Sequence, residues 1–119
     1  MARHNELGKW GEQYAADYLQ DNGYEILDRD WRIGHRDIDI IARTNDGTTI
    51  VFVEVKTRRD EQFLPAREAV SPRQVQNLHL AARDYLAQHG LLAQPYRFDL
   101  ITVVGAAAPY RIDHYPAAF

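Results

Sequence analysis

Arg36-Asp-Ile-Asp-Ile-Ile-Ala-Arg43, then Thr44-Asn-Asp-Gly-Thr48, then Thr49-Ile-Val-Phe-Val-Glu-Val-Lys56 is the stretch that decides the fold. Both flanks are rich in β-branched residues and the link carries an Asp-Gly pair, so the stretch reads as a β-hairpin. With Asp46 and Gly47 as the central residues, antiparallel pairing joins positions whose numbers sum to 93, as theirs do. Asp39 then faces Glu54, and Asp37 faces Lys56. Strand alternation places all four side chains on one face with Ile41, Ile50 and Phe52.

Charges on a half-apolar face need a reason. Directly opposed Cβ atoms lie roughly 4.5–5.5 Å apart, so Asp39 and Glu54 would repel, and one would hold a proton unless a cation joined them. Hard cations such as Mg²⁺ take oxygen ligands, with one or two carboxylates completed by water and substrate phosphate. Lys56, two residues beyond Glu54, points the same way and is placed to orient an attacking water or offset charge on a phosphate. The alternative is that Glu54 and Lys56 form an ordinary cross-strand ion pair on a solvated face and that Asp39 is one more surface charge. The neighbouring Ile41, Ile50 and Phe52 count against it.

Working outward, Asn5 is the expected N-cap of a first helix ending at Gly23, with Leu7, Trp10, Tyr14, Ala15 and Tyr18 as its apolar face. Glu12 falls on a different stripe, with Gly8, Ala16 and Leu19, where small residues let another backbone approach. Tyr24 to Trp31 reads as a strand and Gly34 as a turn before the hairpin. Asp60 to Ala69 reads as a charged surface loop. Ser71 caps a second helix, with Pro72 at its first position and Gln74 completing a capping box; Val75, Leu78, Ala82, Tyr85 and Leu86 form its apolar face. Tyr96 to Val104 reads as a buried strand, able to run parallel to the Glu54 strand because a helix connects them. Tyr110 to Tyr115 is a last short strand. The class is α/β with a mixed central sheet.

The 119 residues suit a single domain spanning 1–119. There is no cysteine, hence no disulfide or thiolate site, and the five histidines lack ligand-like spacing for zinc. No stretch is apolar enough for a signal or a membrane span, so a cytoplasmic protein is expected. The net charge of −3 argues against nucleic-acid binding by bulk electrostatics. Distribution matters more than the sum: Arg29, Arg32, Arg36, Arg43, Arg58, Arg59, Arg67 and Arg73 recur around the acidic group, and arginine suits phosphate.

Asp39, fourteen intervening residues and Glu54-Val-Lys56 resemble the D…ExK signature of the PD-(D/E)xK nuclease superfamily, whose restriction-endonuclease-like core runs α-β-β-β-α-β. Gly8-Lys-Trp-Gly-Glu12, Ala16-Asp-Tyr-Leu19, Asp37-Ile-Asp-Ile-Ile-Ala42, Val51-Phe-Val-Glu-Val-Lys-Thr-Arg58 and Arg97-Phe-Asp99 resemble the YraN-like family of small bacterial proteins, similar in turn to archaeal Holliday-junction resolvases. The resemblance implies Mg²⁺ or Mn²⁺ ligation by Asp39 and Glu54, a catalytic Lys56, and a supporting carboxylate from Glu12. Asp37 and Gln74 are possible supporting residues, and of the arginines noted above Arg36, Arg58, Arg59 and Arg73 are the expected nucleic-acid contacts.

The chain departs from the family where Gly-Glu-Ile-Asp is usual and Arg36-Asp-Ile-Asp39 stands, and where a lysine near the second helix start is replaced by Gln74. The implied function is metal-dependent DNA cleavage, selective for branched or junction structures, with a possible two-fold dimer to address two strands. The alternative is a nucleic-acid-binding or assembly module that keeps the fold with little or no catalysis.

Overall fold

The computed structural model describes residues 2–61, 65 and 69–119, with backbone alone for 2–7. Helix α1 (Ala2–Asp21) leads into strands β1 (Glu25–Ile33), β2 (Arg36–Arg43) and β3 (Ile50–Arg58); helix α2 (Pro72–Gln88) precedes β4 (Tyr96–Val104) and β5 (Arg111–Tyr115). The strands form one sheet in chain order, antiparallel except for the β3–β4 pair, which is parallel. The expected restriction-endonuclease-like α-β-β-β-α-β order is therefore what the chain adopts, with β5 added at the edge.

The hairpin register is the one the Asp-Gly turn dictates: Ile40 pairs with Val53, Ile41 with Phe52, Ala42 with Val51 and Arg43 with Ile50. The connection is wider than a two-residue turn. Thr44 N donates to Thr49 O at 3.0 Å and Gly47 N to Thr44 O at 2.8 Å, with Gly47 at φ 77°. Asp46 Oδ1 accepts from Thr44 Oγ1, Thr48 N and Thr48 Oγ1, which satisfies the loop's donors and keeps the register centred.

The two helices cover opposite faces. On α2, Ser71 and Gln74 exchange the two bonds of a capping box, and Leu78, Ala81, Ala82, Tyr85 and Leu86 bury against Ile38, Ile41, Ile50, Phe52 and Phe98. On the other face Ala15, Ala16 and Leu19 of α1 meet Ile40, Val51, Val53, Ile101 and Val103.

Helix α1 differs from expectation in two ways. It starts at Ala2, so Asn5 lies within the helix rather than capping it; Ala2, Arg3, Glu6 and Leu7 are good helix formers, and their propensity outweighs an isolated cap signal. The side chains of Asn5 and Leu7 lie outside the described residues. The buried stripe is also not the aromatic one: Trp10 is 60% exposed, and Tyr14 and Tyr18 lean sideways onto Tyr110 and His114 near β5. A helix laid on a flat sheet gains most by close approach, and the small residues allow it. Gly11 is the tightest point, where an added Cβ would sit 1.8 Å from Thr57 Oγ1. Of the expected loop from Asp60 to Ala69, residues 62–64 and 66–68, Arg67 included, lie outside the described residues.

Candidate active site

Pairing between β2 and β3 stops at Ile40 and Val53. Beyond that point the strands part, and the ladder pairs expected for Asp39 with Glu54 and Asp37 with Lys56 do not form. Asp39 Oδ2 instead accepts from Val55 N at 2.8 Å, so a side chain bridges to β3 where a backbone carbonyl would have.

The parting has a local companion on β1. Asp30 stands across from Asp39, between the pairs Arg29–Ile40 and Trp31–Ile38, and has φ 48°, a conformation that reverses side-chain alternation. Accordingly Ile38 packs on the α2 side and Ile40 on the α1 side. Arg29 reaches Gln13 of α1, while Trp31 meets Tyr85 of α2 edge-on.

The expectation that residues 37, 39, 54 and 56 share one face is therefore corrected. Asp39 and Lys56 border a cavity of about 230 Å³ on the α1 side, with Gly8, Glu12 and Arg58. Asp37 and Glu54 border a smaller one of about 90 Å³ on the α2 side, with His35, Arg36, Gln74 and Asn77.

Asp39 and Glu54 nonetheless lie close enough for the charge of one to act on the other. Lys56 Nζ lies 3.4 Å from Glu54 Oε2, and the two side chains are only 14% and 18% exposed. Burial, followed by the charge and hydrogen bond of Glu54, pushes the Asp39 carboxyl up to about 9, against the opposing pull of the Val55 N–H. Burial also raises the Glu12 carboxyl, partly offset by the Arg29 guanidinium 3.7 Å away. A carboxyl raised by burial beside a second carboxylate is one that a divalent cation would relieve. The donor set is all oxygen, as Mg²⁺ or Mn²⁺ prefers. Among the described residues no group of three or more His, Cys, Asp or Glu converges on one point, so the two carboxylates would need water and substrate oxygens to complete a coordination shell.

The remaining site residues spread around this centre. Gln74 is exposed and spends its Oε1 on the cap. Arg58 Nη1 donates to Thr57 O at the cavity wall, while Arg59 and Arg73 are exposed. Arg43 does not belong here: it lies at the turn end of the hairpin, 3.5 Å from Glu25. Arg32 pairs with Asp30. Arg29, one of the arginines expected around the acidic group, supports the site by holding Glu12. Thr57, which sequence reading did not single out, supports it by receiving Gly11, and the small-residue stripe on α1 was the available signal. Asp99, fully buried, accepts from Arg97, His114 and Ala117 N, and these bonds hold its carboxyl below the usual range although burial alone would raise it.

A family model described as "Uncharacterised protein family UPF0102" matches residues 11–103. The chain belongs to UPF0102. A UPF0102 protein of Bacteroides fragilis is 43% identical over 119 residues, which is 100% of this chain and 96% of the relative. Among solved structures, a repair endonuclease from Pyrococcus abyssi aligns with a TM-score of 0.42 at 23% identity, over 76% of this chain and 37% of that one. The protein of an EndoMS–dsDNA complex aligns with a TM-score of 0.36 at 23% identity, over 74% and 44%. The UPF0102 chain thus spans less than half the length of either structure. Among its described residues no helix is long and apolar enough to cross a membrane.

Proposed function

We propose that this UPF0102 protein is a Mg²⁺- or Mn²⁺-dependent endonuclease that hydrolyses DNA phosphodiester bonds, preferring branched or junction structures. The observation that carries the reading is the closeness of Asp39 to Glu54 in the gap between β2 and β3, with Lys56 at 3.4 Å and a cavity opening beside them. The metal would be held by Asp39 and Glu54. Bound there, it supplies Lewis acidity toward the phosphate and the attacking water.

The chain's own groups do the rest. With Glu54 engaged on a cation, Lys56 no longer has to neutralise it, and its ammonium orients the water and offsets charge developing on the phosphate oxygens. Glu12, steadied by Arg29, adds negative potential to the cavity wall, which draws a cation in. Asp37 extends the acidic rim on the α2 side. Arg36, Arg58, Arg59 and Arg73 contact the DNA backbone, which positions a substrate without reading its bases. Recognition by shape follows, since the described residues present no base-reading module.

The test is cleavage of linear, flap and four-way-junction DNA with and without Mg²⁺ or Mn²⁺. Wild type is expected to cut in a metal-dependent manner and to prefer the branched substrates, and Glu54→Gln and Lys56→Ala to lose at least ~100-fold in rate. Metal-independent binding with no cutting by any of the three proteins would replace this reading with that of a binding module.

A further inference from the structure

Among the described residues, three of the four large apolar side chains that stay exposed lie together at one pocket beside α2: Leu80 at 37%, Leu92 at 63% and Tyr96 at 52%. Scattered singly such residues need no explanation, but gathered in a concavity they mark a place where something binds. The floor of the pocket is aromatic. His79 lies flat on the buried ring of Phe98, with centroids 4.0 Å apart and planes 8° apart, and as an exposed residue it offers its other face to the pocket. Tyr96 stands at 88° to the same Phe98 ring, so the two exposed rings form a corner.

Charge narrows the class of ligand. No carboxylate borders the pocket, and Arg83, which does, has no acidic partner among the described residues. From Ala69 to Arg83 the chain has no acidic residue, although 17 of its 119 residues are Asp or Glu. Arg73, Gln76, Leu80 and Arg83 recur at helical spacing on the exposed stripe of α2. An acid-free helix face therefore leads from the small cavity beside Glu54, which Asn77 borders, to the aromatic corner. A purely apolar partner would leave Arg83 and this face without a role. A ligand with flat rings on an anionic backbone uses both, and single-stranded nucleic acid is such a ligand.

We infer that this pocket seats an unpaired base of the DNA substrate, stacked on His79 against Tyr96, with Arg83 on the adjoining phosphate. The inference rests on the nuclease reading above and deepens it, by naming what a branched substrate has and a linear duplex lacks. Tyr96 pairs with Ile50 and Leu100 with Glu54, so the pocket lies four residues, roughly 13 Å, along the sheet from Glu54. A stacked strand covers that distance in about four nucleotides, and an unstacked one in fewer. Stacking tolerates any base, which gives selectivity for structure without selectivity for sequence.

The test is a binding assay that needs no cleavage, fluorescence anisotropy in Ca²⁺ of a labelled flap DNA and of the fully paired linear duplex of the same sequence. Single abasic sites, which keep the phosphate and remove the ring, are walked through the unpaired arm. His79→Leu and Tyr96→Leu keep an apolar cover over Phe98 but remove a ring. Each is expected to weaken binding of the flap DNA roughly tenfold and to leave the linear duplex unaffected, and His79→Phe should recover the loss. Arg83→Gln should lower the salt slope for the flap DNA by about one. One abasic position should weaken wild type as much as His79→Leu does and have no effect on that variant. Leucine variants that bind the flap DNA as wild type does, or abasic effects that multiply with His79→Leu at every position, would overturn the seat and leave the nuclease reading intact. So would self-association of wild type that the leucine variants lose, which would make the occupant a second copy. Failure of wild type to bind either DNA would overturn both readings.

Discussion

Asp39 illustrates how one side chain can serve architecture and chemistry together. It bridges to Val55 N where the strands separate, and it is buried beside Glu54, whose charge adds to burial in raising its carboxyl. Its carboxyl is raised from 3.8 to about 9, so the fold favours the protonated form. That contribution is complete below the ordinary carboxylate range and is lost as pH rises toward 9. In chelator, thermal stability is therefore expected to fall by roughly 5 °C or more between pH 5 and pH 9, and Asp39→Asn should flatten the profile. Adding Mn²⁺ should restore stability at the alkaline end and release a proton on binding, measurable by calorimetry in buffers of different ionisation heat. A wild-type melting profile that is flat or rises over this range in chelator would remove the raised Asp39 carboxyl from the account.

At the scale of elements, the hairpin, the capping box of α2 and the buried strand β4 were legible because each has a local code. The Asp-Gly turn sets the register, Ser71-Pro-Arg-Gln74 states a helix start, and Leu100-Ile-Thr-Val-Val104 can only be a doubly covered strand. Two features lacked such a code. The reversal at Asp30 and Asp39 depends on a left-handed aspartate that composition does not mark, so the site residues converge from two faces rather than one. Hydrophobicity ranks Trp10 and Tyr14 above Gly11 and Ala15 on α1, whereas close packing on a sheet ranks them the other way. Gly11→Ala tests that ordering. As a helix substitution alone it should stabilise by about 1 kcal/mol, but the new Cβ would meet Thr57 Oγ1 at 1.8 Å and both Thr57 Cβ and Cγ2 at 2.8 Å. Helix α1 must then lift, at a net cost of roughly 1–3 kcal/mol, carrying Glu12 away from the cavity and lowering the cleavage rate. Thr57→Gly in the same chain should recover most of the loss. An unchanged or higher melting temperature for Gly11→Ala would mean that α1 is not seated by this contact.

Over the whole molecule, a net charge of −3 is reconciled with DNA binding by how the cations are distributed. At the far end of the sheet, arginines are engaged by acids, Arg43 by Glu25 and Arg97 by Asp99; on the edge strand Arg111 is engaged by Asp113 and Glu61. Around the two cavities, Arg36, Arg58, Arg59 and Arg73 have no carboxylate partner among the described residues, although Arg83 beside Leu92 and Tyr96 is unpaired at the far end as well. Unpaired cations can release counterions from DNA, and paired ones largely cannot, so the salt dependence of binding should come mainly from the site end, where most of the unpaired cations lie. Arg58→Gln with Arg59→Gln is expected to reduce the slope of log affinity against log salt by about two. Arg43→Gln, which breaks only a partly exposed pair, should leave the slope unchanged and cost little stability. If Arg43→Gln lowers the slope as much as the site-end pair does, DNA lies along a different surface and the electrostatic footprint has been misplaced.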